Sequence, residues 1–300
     1  MQQFINGLTQ GSIYALIALG YTMVYGVLRL INFAHGDVYM LGAYFGVIAA
    51  THLGTRADGS YAPLTVLMVF AVAMAGAALA GILIERLAYR PLRNAPKLTL
   101  LITAIGVSML LEYGGQMVFS PNPRAFPALI QDRTLYDAGT WSVSLVPLVI
   151  IVVAAVLMMA LQFTVQKTKV GRAMRAVSLD RSAAALMGIN PDFVITFTFA
   201  LGSALAAAAG ILAGIYQPTI TPLIGLLVGL KAFVAAVLGG IGSIPGAVLG
   251  GLLMGFAEVL VISQIPGGSA YVDAAAFTIL IGVLLFKPAG IMGRSVAEKV

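Results

Sequence analysis

Apolar positions group into long runs along this chain, and short polar or basic stretches separate the runs. A run of about 20 apolar residues is long enough for a helix to cross the hydrocarbon core of a bilayer. A β-barrel strand would instead alternate in polarity over ~10 residues, and the sequence shows no such alternation. The pattern predicts nine membrane helices: Ile5–Leu28, Ile31–Ala50, Pro63–Leu87, Leu98–Phe119, Ser142–Val165, Pro191–Tyr216, Leu223–Gly246, Ala247–Ser263 and Tyr271–Phe286.

Composition agrees with a membrane assignment. Hydrophobic residues make up 60% of the 300 residues and charged residues only 9%, whereas soluble domains carry about 25% charged residues. We therefore predict an all-α integral membrane protein, a polytopic single-domain bundle (residues 1–300) of about eight or nine transmembrane helices. Residues 31–46 and 217–250 are expected to be broken or re-entrant segments that do not cross fully.

Residue usage excludes several kinds of chemistry. The chain has no cysteine, so it forms no disulfide or thiolate metal site, and its two histidines are too few for a histidine-rich metal site. It offers no nucleophile with a base and no clustered acids, so we expect no enzymatic activity. The net charge of +6 resides in short loops, which indicates membrane topology and not nucleic-acid binding.

Three segments carry most of the basic residues: the loop Arg86–Lys97, residues 166–190, and the tail after Phe286. Lysine and arginine concentrate in cytoplasmic loops, so these segments are predicted to face the cytoplasm. Loops 51–62, 120–141 and 264–270 then face outward, the N-terminus lies outside and the C-terminus lies in the cytoplasm. The first residues, MQQFINGLTQ, lack a basic start, so we expect a retained helix and not a signal peptide.

Residues 166–190, which we call the island, form a polar, basic stretch between two apolar runs. Asp180 or Ser178 is expected to cap a second short helix, and Gly188 fits the left-handed position just past its end. Asn190, followed by proline, predicts the cap of the next span. The first helix has an apolar face at helical spacing, formed by Val170, Ala173, Met174 and Val177.

Two interpretations of the island stay open. It can lie on the lipid headgroups as a positive-inside loop, which explains its arginines. It can instead dock another protein, because the small residues Ser182–Ala185 and the glycines Gly171 and Gly188 permit close approach of a partner surface.

Three further stretches resemble one family of membrane proteins. They are GLTQGSIYALIALGYTMVYGVLRLINFAHGDVYMLGAY at residues 7–44, KAFVAAVLGGIGSIPGAVLGG at residues 231–251, and LFKPAGIMG at residues 285–293. With the island, they resemble the H-type permease subunit of ABC importers for branched-chain amino acids. The resemblance implies a cytoplasmic coupling helix that docks an ATPase, with these candidate residues: Gly171, Arg172, Arg175, Asp180, Ala183, Ala184, Gly188, Ile189 and Asn190.

The chain has no G-x-x-x-x-G-K-[ST] sequence, so it is not expected to bind ATP, and no cofactor is expected in this chain. No loop is large enough for a soluble solute-binding domain. The resemblance implies that other chains supply these functions at the bacterial cytoplasmic membrane: two ATP-hydrolysing subunits, a second homologous permease and an external solute-binding protein. Membrane lipid is a further partner, and no nucleic acid is expected.

The resemblance implies leucine, isoleucine or valine as cargo. The near absence of charge within the spans fits such zwitterions, because conduction requires weak binding along the route. A permease for urea or short amides is one alternative. Another is a stand-alone, proton- or ion-coupled secondary transporter that relays protons through Asp37, Glu112 or Glu258, but such a transporter has little use for a docking island.

Three ionisable residues, Lys231, Glu258 and Glu112, lie within the predicted spans, where such residues indicate function by default. At about 1.5 Å per residue they sit at similar depths of roughly 10 Å from the outer ends, so a Lys231–Glu258 ion pair is one hypothesis. The alternative is that Lys231 and Glu112 extend to the outer interface, and this alternative is preferred for Glu112.

The second and seventh segments are both interrupted by glycine, and paired interruptions often mark a transport route. Candidates for the translocation path are Asn32, His35, Asp37, Lys231, Gly239, Gly240, Gly242 and Glu258. The alternative attributes the glycines to helix packing, and it is preferred for Gly250, Gly251 and Gly255 over Gly239–Gly246. It also places Asp37 at the headgroups, with Asn32 as a helix cap and His35 bonded to backbone. Glu85 and Arg86 are expected to form a solvated interface pair without a functional role.

Overall fold

The structure is a computed structural model that describes residues 1–55, 60–139 and 141–293. Arg294 and Lys299 of the predicted cytoplasmic tail, and residues 56–59 of a predicted outer loop, lie outside these ranges. A π-helix, Glu85–Tyr89, continues the third helix. The α-helices of the described residues are α1 (Gln2–Leu28), α2 (His35–Leu53), α3 (Pro63–Ile84), α4 (Lys97–Phe119), α5 (Leu145–Lys167), α6 (Lys169–Leu179), α7 (Arg181–Leu186), α8 (Pro191–Tyr216), α9 (Ile224–Gly239), α10 (Ile244–Gln264) and α11 (Val272–Phe286).

Helix lengths confirm a polytopic all-α membrane protein. Within the described ranges, seven helices are long and apolar enough to cross a bilayer: α1, α3 with its π-helix, α4, α5, α8, α10, and α11 with the turn before it. The helices α2 and α9 are not among them, and they arise from the two segments predicted to be broken. α9 has 16 residues, which make about 24 Å of helix against a hydrocarbon core of about 30 Å.

The start of α2 differs from the predicted one. Helix α1 ends at Leu28 and is followed by Arg29, whose backbone is left-handed with a φ of 54°. Residues 29–34 therefore form a non-helical link, and α2 begins at His35 instead of Ile31. The N-cap of α2 is Ala34, so Asn32 is not the helix cap that one interpretation expected.

The core of the bundle is built around α1 and α8, which are buried over most of their length, while the other spans expose long apolar faces. Helix α1 meets α10 backbone to backbone at Gly11, Gly251 and Gly255, where an added Cβ would overlap the facing chain. Small residues at such crossings let membrane helices approach closely. These glycines therefore serve packing, as one interpretation expected for Gly251 and Gly255.

The polar loops gather at two opposite ends of the bundle. At one end the loop between α3 and α4 contacts the start of α8 through Arg93 and Asp192. The tail packs on the end of α9, where Met292 N donates to Gly239 O at 2.9 Å, and Met292 lines one cavity with Gln166 and Lys167 at the end of α5. At the other end lie strands that the sequence pattern did not predict. They form two antiparallel pairs: β1 (Arg124–Ala125) with β4 (Thr219–Ile220), and β2 (Thr134–Asp137) with β3 (Ser142–Ser144).

Candidate functional site

The island folds as two short helices, α6 and α7, and its predicted caps are present. Asp180 Oδ1 accepts from Ala183 N at 2.9 Å at the start of α7. Gly188 has a left-handed φ of 81° after that helix, and Asn190 Oδ1 accepts from Asp192 N at 3.0 Å as the cap of α8. Each cap supplies a partner for backbone groups that a helix end leaves free.

The predicted apolar face of α6 packs inward, with Met174 and Val177 buried against the spans. Three large apolar residues of the island point outward instead: Leu179, Leu186 and Met187 are 82%, 89% and 83% exposed. Exposed apolar patches on a polar segment indicate a protein or membrane contact. The sequence pattern missed these three residues because apolar residues are common throughout the chain.

Most predicted coupling residues lie on the exposed side of the island, but two do not. Gly171 is buried, and a Cβ there would overlap the carbonyl oxygens of Thr164 and Val165 at the end of α5. Ala184 is also buried. These two residues position the island and do not form its surface. The exposed members are Arg172, Arg175, Asp180, Ala183, Gly188 and Asn190, while Ile189 is half-buried.

One arginine of the island, Arg181, bonds the island to the end of α1. Arg181 donates to Val27 O and Leu28 O, at 3.4 and 3.3 Å, at the end of α1, where a cation offsets the negative end of the helix. Burial, followed by repulsion from the Arg93 and Arg29 guanidinium groups, lowers the pKa of Arg181 from its ordinary value. Three cationic side chains therefore converge where the island meets the bundle.

The polar residues that precede and open α2 are buried inside the bundle. Asn32 is 3% exposed and its Oδ1 accepts from the Tyr89 hydroxyl at 2.7 Å. The His35 ring fills a notch left by Gly20 and Gly202 and lies edge-on to Tyr21 at 4.8 Å.

Asp37 is 1% exposed and accepts a hydrogen bond from Ser108 of α4. The structure therefore does not place its carboxylate at the headgroups, where one interpretation put it. Its other carboxylate oxygen, Oδ1, is buried without a hydrogen-bond partner among the described residues. The same is true of His35 Nε2.

The first turns of α2 and α9 meet at glycines. A Cβ at Gly36 would overlap Gly225 and Gly229, and a Cβ at Gly225 would come within 2.9 Å of Asp37 Oδ1. Helix α2 and the 16-residue α9 thus begin beside one another with the Asp37 carboxylate at the junction. Broken helices that meet in this way are typical of transporter binding sites.

The glycines predicted for the path lie at the end of α9 and in the tight turn that follows it. Gly239 lies against Gly246, and Gly240 lies against the tail residue Gly293. Gly240 and Gly242 have φ values of 104° and 95°, which side chains with a Cβ rarely adopt. Gly240 and Gly242 therefore allow the turn between α9 and α10, while Gly239 and Gly240 permit close packing.

Lys231 and Glu258 lie together, as one hypothesis expected. Lys231 Nζ is 2.9 Å from Glu258 Oε1, and it also lies 2.7 Å from Asp273 Oδ1 of α11. Glu258 Oε2 accepts from the Tyr14 hydroxyl at 2.8 Å. The sequence did not identify Tyr14 or Asp273 as partners, because only the packing of α1, α9, α10 and α11 brings them together.

Two acidic residues differ from expectation. Glu112 is 7% exposed and lies one helical turn beyond Ser108 on the buried side of α4, so the interfacial position preferred for it is wrong. Glu85 is completely buried and pairs with Arg93. The solvated Glu85–Arg86 pair is therefore also wrong, because adjacent helical residues point in different directions.

The chain is similar to known proteins along almost its whole length. A family model described as "Branched-chain amino acid transport system / permease component" matches residues 3–286. The chain is 46% identical over 303 residues to the high-affinity branched-chain amino acid transport system permease protein BraD of Pseudomonas aeruginosa, covering 100% of this chain and 98% of the relative. It is 45% identical to the corresponding permease protein LivH of Escherichia coli (strain K12), covering 100% and 97%.

A more distant relative is the probable branched-chain amino acid transport permease protein LivH of Methanocaldococcus jannaschii, with 31% identity over 94% of this chain and 89% of the relative. A solved structure, "PsaBC from Streptococcus pneumoniae in complex with Fab", aligns with a TM-score of 0.49 and 15% identity over 95% of this chain and 91% of that chain. A likeness this distant supports no inference about function.

The full-length relatives confirm the resemblance seen in residues 7–44, 231–251 and 285–293. These relatives are transport permeases, which are not enzymes, and this agrees with the absence of catalytic groupings in the sequence. The chain therefore belongs to the family of permease components of branched-chain amino acid transport systems.

Proposed function

We propose that this chain is a transmembrane permease subunit of an ATP-driven importer and carries leucine, isoleucine or valine. It forms the path with a second homologous permease, receives solute from an external binding protein and is moved by two ATP-hydrolysing subunits. The chain itself uses no cofactor, since ATP is consumed by the partners. The full-length similarity to named branched-chain amino acid permeases is the observation that carries this proposal.

The island is the proposed docking surface for the ATPases. Its outward side combines three exposed apolar side chains, Leu179, Leu186 and Met187, with the exposed arginines Arg172 and Arg175. Apolar anchors surrounded by charged groups are typical of protein interfaces. A segment that only lay on headgroups would turn its apolar residues and its arginines to opposite faces.

The proposed orientation places the island in the cytoplasm of a bacterial cell, with the N-terminus outside and the C-terminus inside the inner membrane. The basic loop before α4 contacts the start of α8 directly after the island, and Met292 of the tail lines one cavity with Lys167 at the start of the island. This grouping supports a single cytoplasmic end, because lysine and arginine favour that side. The short strands at the other end then face the external binding protein.

Affinity purification in mild detergent, with the native partner chains co-expressed, tests the docking surface. We expect ATPase subunits to accompany the wild-type chain and to be lost from Leu186→Asp, which changes an exposed side chain and leaves the bundle intact. Leu135→Asp, at an exposed position at the opposite end, is the matched control and should retain them. Equal recovery in both variants would refute docking through the island.

Uptake of labelled solute by the reconstituted complex tests the cargo. We expect leucine, isoleucine and valine to compete with one another, and urea or acetamide to compete at least tenfold more weakly. Uptake by the purified chain alone, driven by a proton gradient, would instead support the stand-alone secondary transporter.

A further inference from the structure

We infer that the π-helix Glu85–Tyr89 connects the island to the start of α2, and that Arg93 and Tyr89 are positioning residues for coupled transport. The inference rests on the proposed function, because it requires an ATPase that moves the island. It goes further by naming the contacts that carry this movement toward the polar residues at the start of α2.

The first step joins the island to the π-helix. Asp192 lies in the first turn of α8, two residues after the cap that ends the island, and it accepts from both Arg90 and Arg93. Arg93 also donates to Glu85, the first residue of the π-helix. Thr196, one turn further along α8, donates to Glu85 Oε2 at 2.7 Å. The π-helix is therefore bonded to α8 at two successive turns.

Burial makes this junction stiff. Glu85 is 0% exposed and the Arg93 side chain is 11% exposed. A buried carboxylate that loses its partner is left as an uncompensated charge, which is strongly unfavourable. Asp192 is half-exposed, so a shift of α8 caused by the island moves Glu85 mainly through Thr196. Arg93 follows Glu85, since separating the two is costly.

The second step joins the π-helix to α2. At its far end Tyr89 is fully buried, and its hydroxyl donates to Asn32 Oδ1 at 2.7 Å. Asn32 lies in the non-helical link before α2, and its carbonyl accepts from His35 N at 3.1 Å. The chain of contacts thus ends two residues before Asp37, where α2 meets α9.

The π-helix is an irregular turn at the centre of these contacts. Arg90 N donates to Glu85 O at 2.7 Å, a bond that spans five residues, whereas an α-helical turn would bond it to Arg86. Single π turns within helices are frequent at functional sites. Both ends of this one are tied to neighbouring segments by buried side chains, Glu85 and Tyr89, so a movement of one end is passed to the other.

Tyr89→Phe is the sharpest test because it removes one oxygen atom. We expect the complex to assemble with full recovery of ATPase subunits, while solute transported per ATP hydrolysed falls about fivefold, the factor that one hydrogen bond of about 1 kcal/mol provides. Asn32→Ala should give a similar loss, and the double variant should be no worse than either single variant, because both remove the same link. Tyr113→Phe, an exposed tyrosine of α4, is the matched control.

Arg93→Lys provides a second test, since lysine keeps the charge but cannot bond Glu85 and Asp192 as a planar fork. We expect lower transport per ATP with ATPase recovery unchanged, because Arg181 still holds the island to α1. If the wild-type chain recovers no ATPase, the proposed function fails and this inference fails with it. If the wild-type complex couples normally and the Tyr89→Phe complex transports as much solute per ATP, only this inference is overturned. Additive losses in the double variant of Tyr89→Phe with Asn32→Ala would also overturn it.

Discussion

The ion network around Lys231 gives a prediction that can be worked out from the structure. Lys231 Nζ lies within 2.9 Å of both Glu258 and Asp273, and these two carboxylates sit in different surroundings. The Glu258 side chain is 6% exposed and Asp273 is 49% exposed. Lys231→Met removes the cation with little change in volume and leaves Glu258 as a buried charge.

The expected cost follows from these environments. Breaking a buried ion pair by removing one partner costs about 3–5 kcal/mol. We expect the lower end, about 3 kcal/mol, because the Tyr14 hydroxyl continues to donate to Glu258 Oε2. The half-exposed Asp273 adds little, since exposed pairs contribute about 0.2–1 kcal/mol. Glu258→Gln alone should cost about 1 kcal/mol, because Lys231 keeps Asp273 as a partner.

The double variant Lys231→Met with Glu258→Gln should recover most of this loss. Both charges are then absent and the glutamine still accepts from Tyr14, so we expect a free energy of unfolding within about 1 kcal/mol of wild type. The interaction between the two sites is then roughly 3 kcal/mol, far above the ~0.5 kcal/mol scatter of independent sites.

Unfolding titrations in mixed detergent micelles measure this quantity, with Lys97→Met at the exposed start of α4 as the control. A thermal melt should agree: at about 2–4 °C per kcal/mol, Lys231→Met lowers the midpoint by roughly 6–12 °C. Simple addition of the two single losses in the double variant would refute the pairing argument, whatever the size of each loss.

Three further variants test the island and the start of α2. Gly171→Val places a side chain against the end of α5 and should lower stability by about 1–3 kcal/mol, measured as a lower melting midpoint. Asp180→Ala removes the cap of α7, which costs about 1 kcal/mol, so the affinity for the ATPase should fall about fivefold in a titration. Asp180→Asn retains a capping oxygen and should keep the wild-type affinity. Equal affinities in the two variants would show that the cap is unimportant. Asp37→Asn keeps an acceptor for Ser108 and should fold normally, yet lower uptake at least tenfold, and unchanged uptake would remove Asp37 from the path.

Much of the fold could be predicted from the sequence because its signals are local. Apolar runs located the spans, and single-residue rules located the caps of the island at Asp180, Gly188 and Asn190. A cap depends on the conformation of its own residue and the next three, so neighbouring letters are sufficient to find it. The break before α2 was likewise visible as an interruption of the apolar pattern, although its start moved to His35.

The partners of charged residues could not be predicted because they depend on packing between distant segments. Arg93 and Asp192 are 99 positions apart, and nothing near either residue indicates the other. The Glu85–Arg86 prediction failed for the same reason. It paired two residues because they are adjacent in sequence, whereas the partner of Glu85 is Arg93. The exposed apolar residues of the island could not be predicted either, because apolar residues occur throughout a chain that is 60% hydrophobic.

The buried carboxylates fall into two groups, according to whether a nearby cation and hydrogen-bond donors offset their charge. This difference points to function. Glu85 and Glu258 each have a cation and a hydroxyl donor. Glu258 Oε1 makes no hydrogen bond among the described residues, but it lies 2.9 Å from the Lys231 cation, so its charge is offset. Asp37 has one hydroxyl donor, and its second oxygen has none among the described residues. Native proteins rarely leave such a group buried without a reason. Because this oxygen lies where the first turns of α2 and α9 meet, we propose that a positively charged group of the cargo is the partner that satisfies it during transport.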